Sequence, residues 1–331
     1  MSIPAPVFEP PFRITRASHV TLTVKDLARS RAFYTEIVGL VPTAKTADAL
    51  YLRGIEEACH HSLVLRKGDT PECACIGMRV LTESDLDRAW QWLESEGHAP
   101  AWANVAFQGR TLRFTDAAGV PIELCAQMPV EPRMLTKFSS WRGGAAQRID
   151  HYQMHTPDVL KATAFYVSLG FKLTEYIAPP GPFAPLGVFL SRKGNPHDIV
   201  FLEGAGPRIH HFAYVVPEVH HILTACDIAG EMGYGAGIER GPGRHGPGHA
   251  TFIYIRDPDG HRVELFNTHY QVMDMENEPV RWDPRQTLPW GLPAQRTWFD
   301  EATPFTGAPV TQPEPGPGPM TLERYLAAKS G

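Results

Sequence analysis

The stretch GPRIHHFAYVVPEV, Gly206 to Val219, sets two histidines side by side on a strand. Its β-branched and aromatic residues favour extended backbone, and Pro217 stops the run. An imidazole there can ligate a metal, carry a proton or simply fill a hydrogen-bonded niche. Successive strand residues face opposite sides of a sheet, so His210 and His211 are not both aimed at one site. Other groups with chemical potential are His151 in RIDHY, Tyr254 in TFIYIR and Glu264 in HRVELF. A Gly/Pro loop, ERGPGRHGPGH, adds Arg240, Arg244, His245 and His249. It is too irregular for a helix, and functional groups carried on a loop above a rigid sheet suit binding.

An internal repeat decides which of these belong together. Four segments share one register: HVTLTVKD (19–26), GMRVLTES (77–84), HYQMHTPD (151–158) and HFAYVVPE (211–218). Each reads as an alternating strand leading into a helix. The helices form two related pairs, one sharing an Ala-Phe-Tyr core, and each is followed by glycine. FTDAAGVPIELC (114–125) matches IRDPDGHRVELF (255–266): strand, D-x-x-G turn, strand ending in Glu-Leu. Gly119 and Gly260 supply the positive φ that such a turn needs. The predicted fold is α+β, two domains each of two βαβββ modules whose curved sheets close around an interior. The expected boundaries are an N-terminal arm (1–14), a non-catalytic pair of modules (15–135), a catalytic pair (145–270) and a C-terminal arm and tail (271–331).

The first column of the register reads His19, Gly77, His151 and His211, and the last strands end in Glu123 and Glu264. An inward-facing column collects His151, His211 and Glu264 in the second domain. The first domain has Gly77 where a second histidine would stand. Two histidines and a carboxylate on separate strands suit a non-haem Fe(II), with Mn(II) equally served, and leave three coordination positions open. The bland alternative, three buried polar groups satisfying one another, costs several kcal/mol unless every hydrogen bond is made. The hairpin turning at Gly260 sets Tyr254 opposite Glu264, which brings a phenol to the site.

Composition excludes other classes. A net charge of −5 with 20% charged and 43% apolar residues argues against nucleic-acid binding. No run approaches the ~20 apolar residues that span a bilayer, and the first residues lack a signal-peptide pattern, so a cytoplasmic protein is expected. Cys59, Cys73, Cys75, Cys125 and Cys226 are scattered and odd in number, as reduced thiols are.

GRHGPGHATFIYIRDPDGHRVE (243–264) resembles the signature of the type I extradiol ring-cleaving dioxygenases, of the vicinal oxygen chelate fold. The resemblance extends over about residues 12–300, and RIDHY, RIHHFAY and IERGPGRHG bring it nearest the homoprotocatechuate-cleaving branch. It implies cleavage of a catechol by O2 at a non-haem Fe(II), giving a 2-hydroxymuconic semialdehyde-type product. By the same resemblance His151, His211 and Glu264 are the metal ligands, His197 in RKGNPHDIV moves protons, and Tyr254 and His245 hydrogen-bond the substrate. The residues alone place His197 on a surface loop. Gln153 stands where that branch carries Asn, and the branch's Arg-Arg pair is here Gln286-Thr287 in WDPRQTLPWG. Arg240, Arg281 and Arg285 are the candidates to replace its carboxylate clamp; catechol or another substituted catechol is the more economical substrate. Gln153, Arg240 and His245 are the expected substrate contacts. The rival readings are a glyoxalase-like metal-dependent isomerase or lyase and a non-enzymatic small-molecule binder of the same fold.

Beyond Thr268 the chain is rich in Trp, Pro and Arg, as an arm laid over a surface or a pocket mouth would be. PEPGPGP (313–319) reads as an extended linker and MTLERYLAAK as a short helix capped by Thr321. Such a tail and the resemblance together point to a homotetramer, with a homodimer next.

Overall fold

The computed structural model describes residues 4–274 and 276–313. The first half runs β1 (Ile14–Val24), α1 (Leu27–Ala32), β2 (Val41–Lys45), β3 (Ala49–Arg53), β4 (Leu63–Lys67), β5 (Cys73–Val80), α2 (Glu83–Ser95), β6 (Ala101–Val105), β7 (Gly109–Thr115) and β8 (Pro121–Cys125). The second half repeats it: β9 (Arg148–Thr156), α3 (Val159–Ser168), β10 (Lys172–Ile177), β11 (Gly187–Ser191), β12 (Ile199–Glu203), β13 (Arg208–Val215), α4 (Val219–Glu231), β14 (Ile238–Arg244), β15 (Thr251–Arg256) and β16 (Arg262–Asn267). Each half is thus two βαβββ units, and the class is α+β.

The strand order β2-β3-β4-β1-β5-β8-β7-β6 is mirrored about the antiparallel β1/β5 pair. In the second sheet β9 and β13 hold the same central place, in the order β14-β15-β16-β13-β9-β12-β11-β10. The helices start where short acceptors cap them: Asp26, Thr82 and Asp158 each accept backbone N–H groups of the first turn. One expectation changes. The Ala-Phe-Tyr helix of the first half stops as an α-helix at Ala32 and continues as a π-helical turn over Phe33–Val38.

That turn seats Tyr34, fully buried, whose hydroxyl donates to Asp257 at 2.9 Å. Its counterpart in the other half does the same in reverse: Tyr166 donates to Asp116 at 2.8 Å. Asp116 and Asp257 open the two D-x-x-G turns, and the other oxygen of each accepts N–H groups within its own turn. Each half's Ala-Phe-Tyr tyrosine therefore reads the other half's turn aspartate. Tyr152, next to His151 but facing away, reaches across to the carbonyls of His19 and Gly77 at 2.8 Å. One apolar core runs through both halves, from Val20 and Ile76 to Ile149 and Phe212.

Three small elements follow: β17 (Val280–Trp282), which joins β10 in parallel, α5 (Arg296–Asp300) and β18 (Thr303–Pro304), which joins β13. The expected C-terminal helix and all but Pro313 of the expected linker lie outside the described residues. No helix among the described residues is long and apolar enough to cross a membrane. All five cysteines are free.

Candidate metal centre

His151, His211 and Glu264 come from β9, β13 and β16, adjacent strands at the centre of the second sheet. Their ligating atoms lie within 4.8 Å of one another and all three residues are buried. Nε2 of His151 is 3.1 Å and Nε2 of His211 is 3.2 Å from Oε2 of Glu264. Both central strands bulge just before their histidine. Asp150 is the extra residue on β9 and His210 the extra residue on β13. A bulge re-aims the side chain it carries, and here it lets each preceding residue touch the histidine that follows.

The protons of those rings follow from their partners. His210 Nε2 lies 2.8 Å from the carbonyl of Trp298, which only accepts, so that nitrogen carries hydrogen. Burial first, then the charge of Arg262, holds the His210 pKa well below the imidazole range, so the ring is neutral. Its Nδ1 therefore accepts from Nδ1–H of His211 at 2.8 Å. Burial likewise lowers the pKa of His211 to about 4. The ring consequently presents a bare Nε2, without a hydrogen-bond partner, to a carboxylate. His151 is oriented alike: its Nδ1 faces Asp150 at 3.0 Å. Burial would lower the His151 pKa, but bonds to Asp150 and Glu264 outweigh it and raise it. Burial would raise Glu264, yet the histidines around it hold it well below the carboxylate range. The bare lone pair of His211 aimed at the Glu264 carboxylate calls for a cation between them, and two nitrogens plus one carboxylate fit a divalent metal.

The site opens on a cavity of about 380 Å³. Tyr254 pairs with Glu264 across the β15/β16 hairpin, as the turn register requires. Burial first, then the charge of Glu264, raises its pKa well above 10, so it remains a phenol. His245 places Nε2 3.3 Å from Oε1 of Glu264. Gln153, cross-strand neighbour of His211, lines the same space with its amide nitrogen unpartnered. His197 is no surface residue. It is 2% exposed, its ring 4.3 Å from that of His151, and its Nδ1 has no partner. The loop from β11 to β12 folds inward, a tertiary placement that loop composition does not reveal.

The first half offers a contrast. His19 and Glu123 are 3.1 Å apart, but Arg113 grips Glu123 from the position equivalent to Tyr254, at 2.8 and 2.6 Å. A Cβ on Gly77 would sit 2.0 Å from the His19 ring. There is no room for a second histidine and the carboxylate is already neutralised.

Residues 16–124 and 148–265 match the family model described as the glyoxalase/bleomycin resistance protein/dioxygenase superfamily. The chain belongs to that superfamily. Within it the chain is an extradiol dioxygenase. It is 32% identical over 286 residues to the manganese-dependent 2,3-dihydroxybiphenyl 1,2-dioxygenase of Geobacillus genomosp. 3, covering 81% of this chain and 90% of that one. It is 27% identical to the metapyrocatechase of Geobacillus stearothermophilus, over 92% and 98% of the two chains. Among solved structures, homoprotocatechuate 2,3-dioxygenase from Brevibacterium fuscum, in complex with 3,4-dihydroxyphenylacetate, matches with a TM-score of 0.87 and 33% identity, over 94% and 99% of the chains. The enzyme of the same name from Arthrobacter globiformis gives 0.86 and 33%, over 91% and 95%.

This dioxygenase has site residues that sequence reasoning missed. Asp150 backs His151 and is itself held by Asn195 at 3.0 Å and by Lys193 at 3.6 Å. His269, just past β16, stacks on Phe266 and lies 4.7 Å from the ring of His197. Trp298, on α5, backs His210 through its carbonyl and covers Tyr254 with its ring at 4.2 Å. Arg240 stands over the rings of Phe252 and Trp298, its Nε unpartnered. Of the three arginines considered for a carboxylate clamp, only Arg240 lines the cavity. Arg281 bonds to the carbonyl of Ala178, and Arg285 to Asp283. The arm does reach the pocket, through Pro284, Thr287, Ala294, Trp298 and Phe299.

Proposed function

We propose that this extradiol dioxygenase binds Fe(II) through His151, His211 and Glu264 and uses it to open the ring of an apolar catechol with O2. The observation that supports this most directly is the bare, buried Nε2 of His211 facing Glu264 beside His151. When bound, the metal supplies adjacent positions for both diol oxygens and for O2, and a path for electrons between them. The rest of the chemistry belongs to the chain. One carboxylate and a monoanionic catecholate balance a divalent ion, so the buried site need hold no net charge. His197, with an unpartnered nitrogen lining the cavity, takes the diol proton and returns it to the product. The Tyr254 phenol and the His245 imidazole hydrogen-bond the substrate oxygens and fix their orientation. Mn(II) is served by the same ligand set.

The cavity lining suits an apolar ring substituent: Ile177, Leu186, Leu202, Pro284 and Phe299 contribute to it, and beyond the metal-binding residues its charged groups are Glu203 and Arg240, the latter packed over the rings of Phe252 and Trp298. Thr287 lines the cavity where the carboxylate-binding branch has its arginine pair. Each methylene buried there gains about 0.8 kcal/mol, roughly fourfold in kcat/KM. The test is oxygen uptake and formation of yellow product by protein reconstituted with Fe(II), Mn(II) or Zn(II). Alkyl- and aryl-catechols should exceed catechol, and 3,4-dihydroxyphenylacetate should fall below it. Zn(II)-supported turnover without O2 uptake would instead establish the isomerase reading. A preference for the acidic substrate would refute the apolar one.

A further inference from the structure

Glu175 carries no role in the site as described. It lies on β10, fully buried, and its carboxylate oxygens accept the N–H of Gly248 at 3.1 and 3.0 Å and the hydroxyl of Tyr270 at 2.8 Å. Taking a carboxylate out of water is costly unless its partners are well placed. Burial accordingly raises its pKa, against the pull of the Gly248 and Tyr270 bonds. Such a residue persists where its hydrogen bonds hold something in place.

Three pieces of chain meet at this carboxylate. The first is β10, alongside which β17 pairs at Val280. The second is the loop after β14. Its N–H groups are tied from His245 to Ala250 at 3.2 Å, from Gly246 to Thr287 at 2.8 Å and from Gly248 to Glu175. The third is the segment after β16 that bears His269 and Tyr270. The loop turns back through two left-handed residues, Gly248 at φ +67° and His249 at φ +57°, the second strained for a side chain with a Cβ. Its inner surface is tight: a Cβ on Gly248 would lie 2.9 Å from the His269 ring and 3.2 Å from that of His197. The same turn holds the His245 ring, whose Nδ1 bonds to the carbonyl of Pro247, the residue before Gly248.

We propose that Glu175 is a positioning residue that anchors Gly248 and thereby sets the placement of His245 against the substrate. The proposal rests on the substrate role given to His245 above. Glu175→Gln preserves shape but turns an amide N–H toward donors. It should lower kcat about 10–100-fold, as a misplacement of order 1 Å does, while leaving metal stoichiometry and KM within about twofold. Because the effect runs through His245, the double variant Glu175→Gln/His245→Asn should be no slower than His245→Asn alone. Tyr270→Phe removes one donor and should show a smaller loss with the same non-additivity, which keeps the test open if Glu175→Gln folds poorly. Wild-type kcat in Glu175→Gln, or losses that multiply in the double variant, would overturn the proposal. Wild-type kcat in His245→Asn would instead sink the role assigned to His245, and this inference with it.

Discussion

Replacing His210, which lies outside the metal-ligand set, should weaken metal binding. Two 2.8 Å hydrogen bonds run from Trp298 through His210 to His211, and they leave the lone pair of His211 on Nε2, facing Glu264. In His210→Leu the Nδ1–H of His211 loses its acceptor in a fully enclosed place, a penalty of about 1–3 kcal/mol. The ring can relieve it by moving its proton to Nε2, which blocks the ligating atom. Binding must then first restore the tautomer. The expected loss is about 10–100-fold in metal affinity, as for other residues that orient a ligating histidine. That corresponds to about 1.4–2.8 kcal/mol. His210→Asn keeps an acceptor oxygen near the old Nδ1 and should bind within about threefold of wild type. Competition with a chelator of known affinity measures this directly. Thermal unfolding with and without metal measures it independently, since a ligand of the native state at free concentration L stabilises by RT ln(1 + L/Kd). Wild-type affinity in His210→Leu, or equal losses in Leu and Asn, would refute the tautomer argument.

Further outcomes follow from the same geometry. His197→Phe should retain metal yet lose turnover by about 10²–10⁴-fold, whereas His211→Ala should lose metal; equal metal contents by elemental analysis would contradict the separation of roles. Tyr254→Phe should keep its metal and slow kcat about tenfold or more through one lost hydrogen bond, and an unchanged rate would remove the phenol from the mechanism. Asp116 is raised to about 6, chiefly by burial, against about 3.9 in an unfolded chain. The fold binds that proton more tightly, so its contribution to stability is present below about pH 4 and lost as pH rises through 6. Urea unfolding of Asp116→Asn should therefore shift in the variant's favour between pH 4 and 7, and a pH-independent difference would contradict it.

The repeat carries most of what the chain discloses about itself. A column of one residue type per module, read against alternation in strands, separates His211 from His210 and pairs His151 with Glu264. A hairpin with a glycine at the left-handed position sets Tyr254 opposite Glu264. What stays hidden depends on departures from regularity. The bulges on β9 and β13 make neighbours of residues that simple alternation sends apart: it puts His210 on the opposite face, for packing or a hydrogen bond behind the site, and gives no reason to single out Asp150. His197, Glu175, His269 and Trp298 reach the site from loops, from an outer strand and from the arm, over separations that no periodicity spans. Asp150 directly before the proposed ligand His151 is the one available signal, and it becomes legible only once the bulge is known.

The exchanged tyrosines give the join between the halves the form of a contact between two copies of one unit. Tyr34 reads Asp257 while Tyr166 reads Asp116: residue i meets j and j meets i, the arrangement of an isologous contact between two identical subunits. In a homodimer of half-length chains, any substitution appears twice, so a change that fills one site fills both. Covalent fusion removes that constraint and makes the pairing independent of concentration. The two halves of one chain are then free to differ, as Gly77 and Arg113 differ from their counterparts His211 and Tyr254.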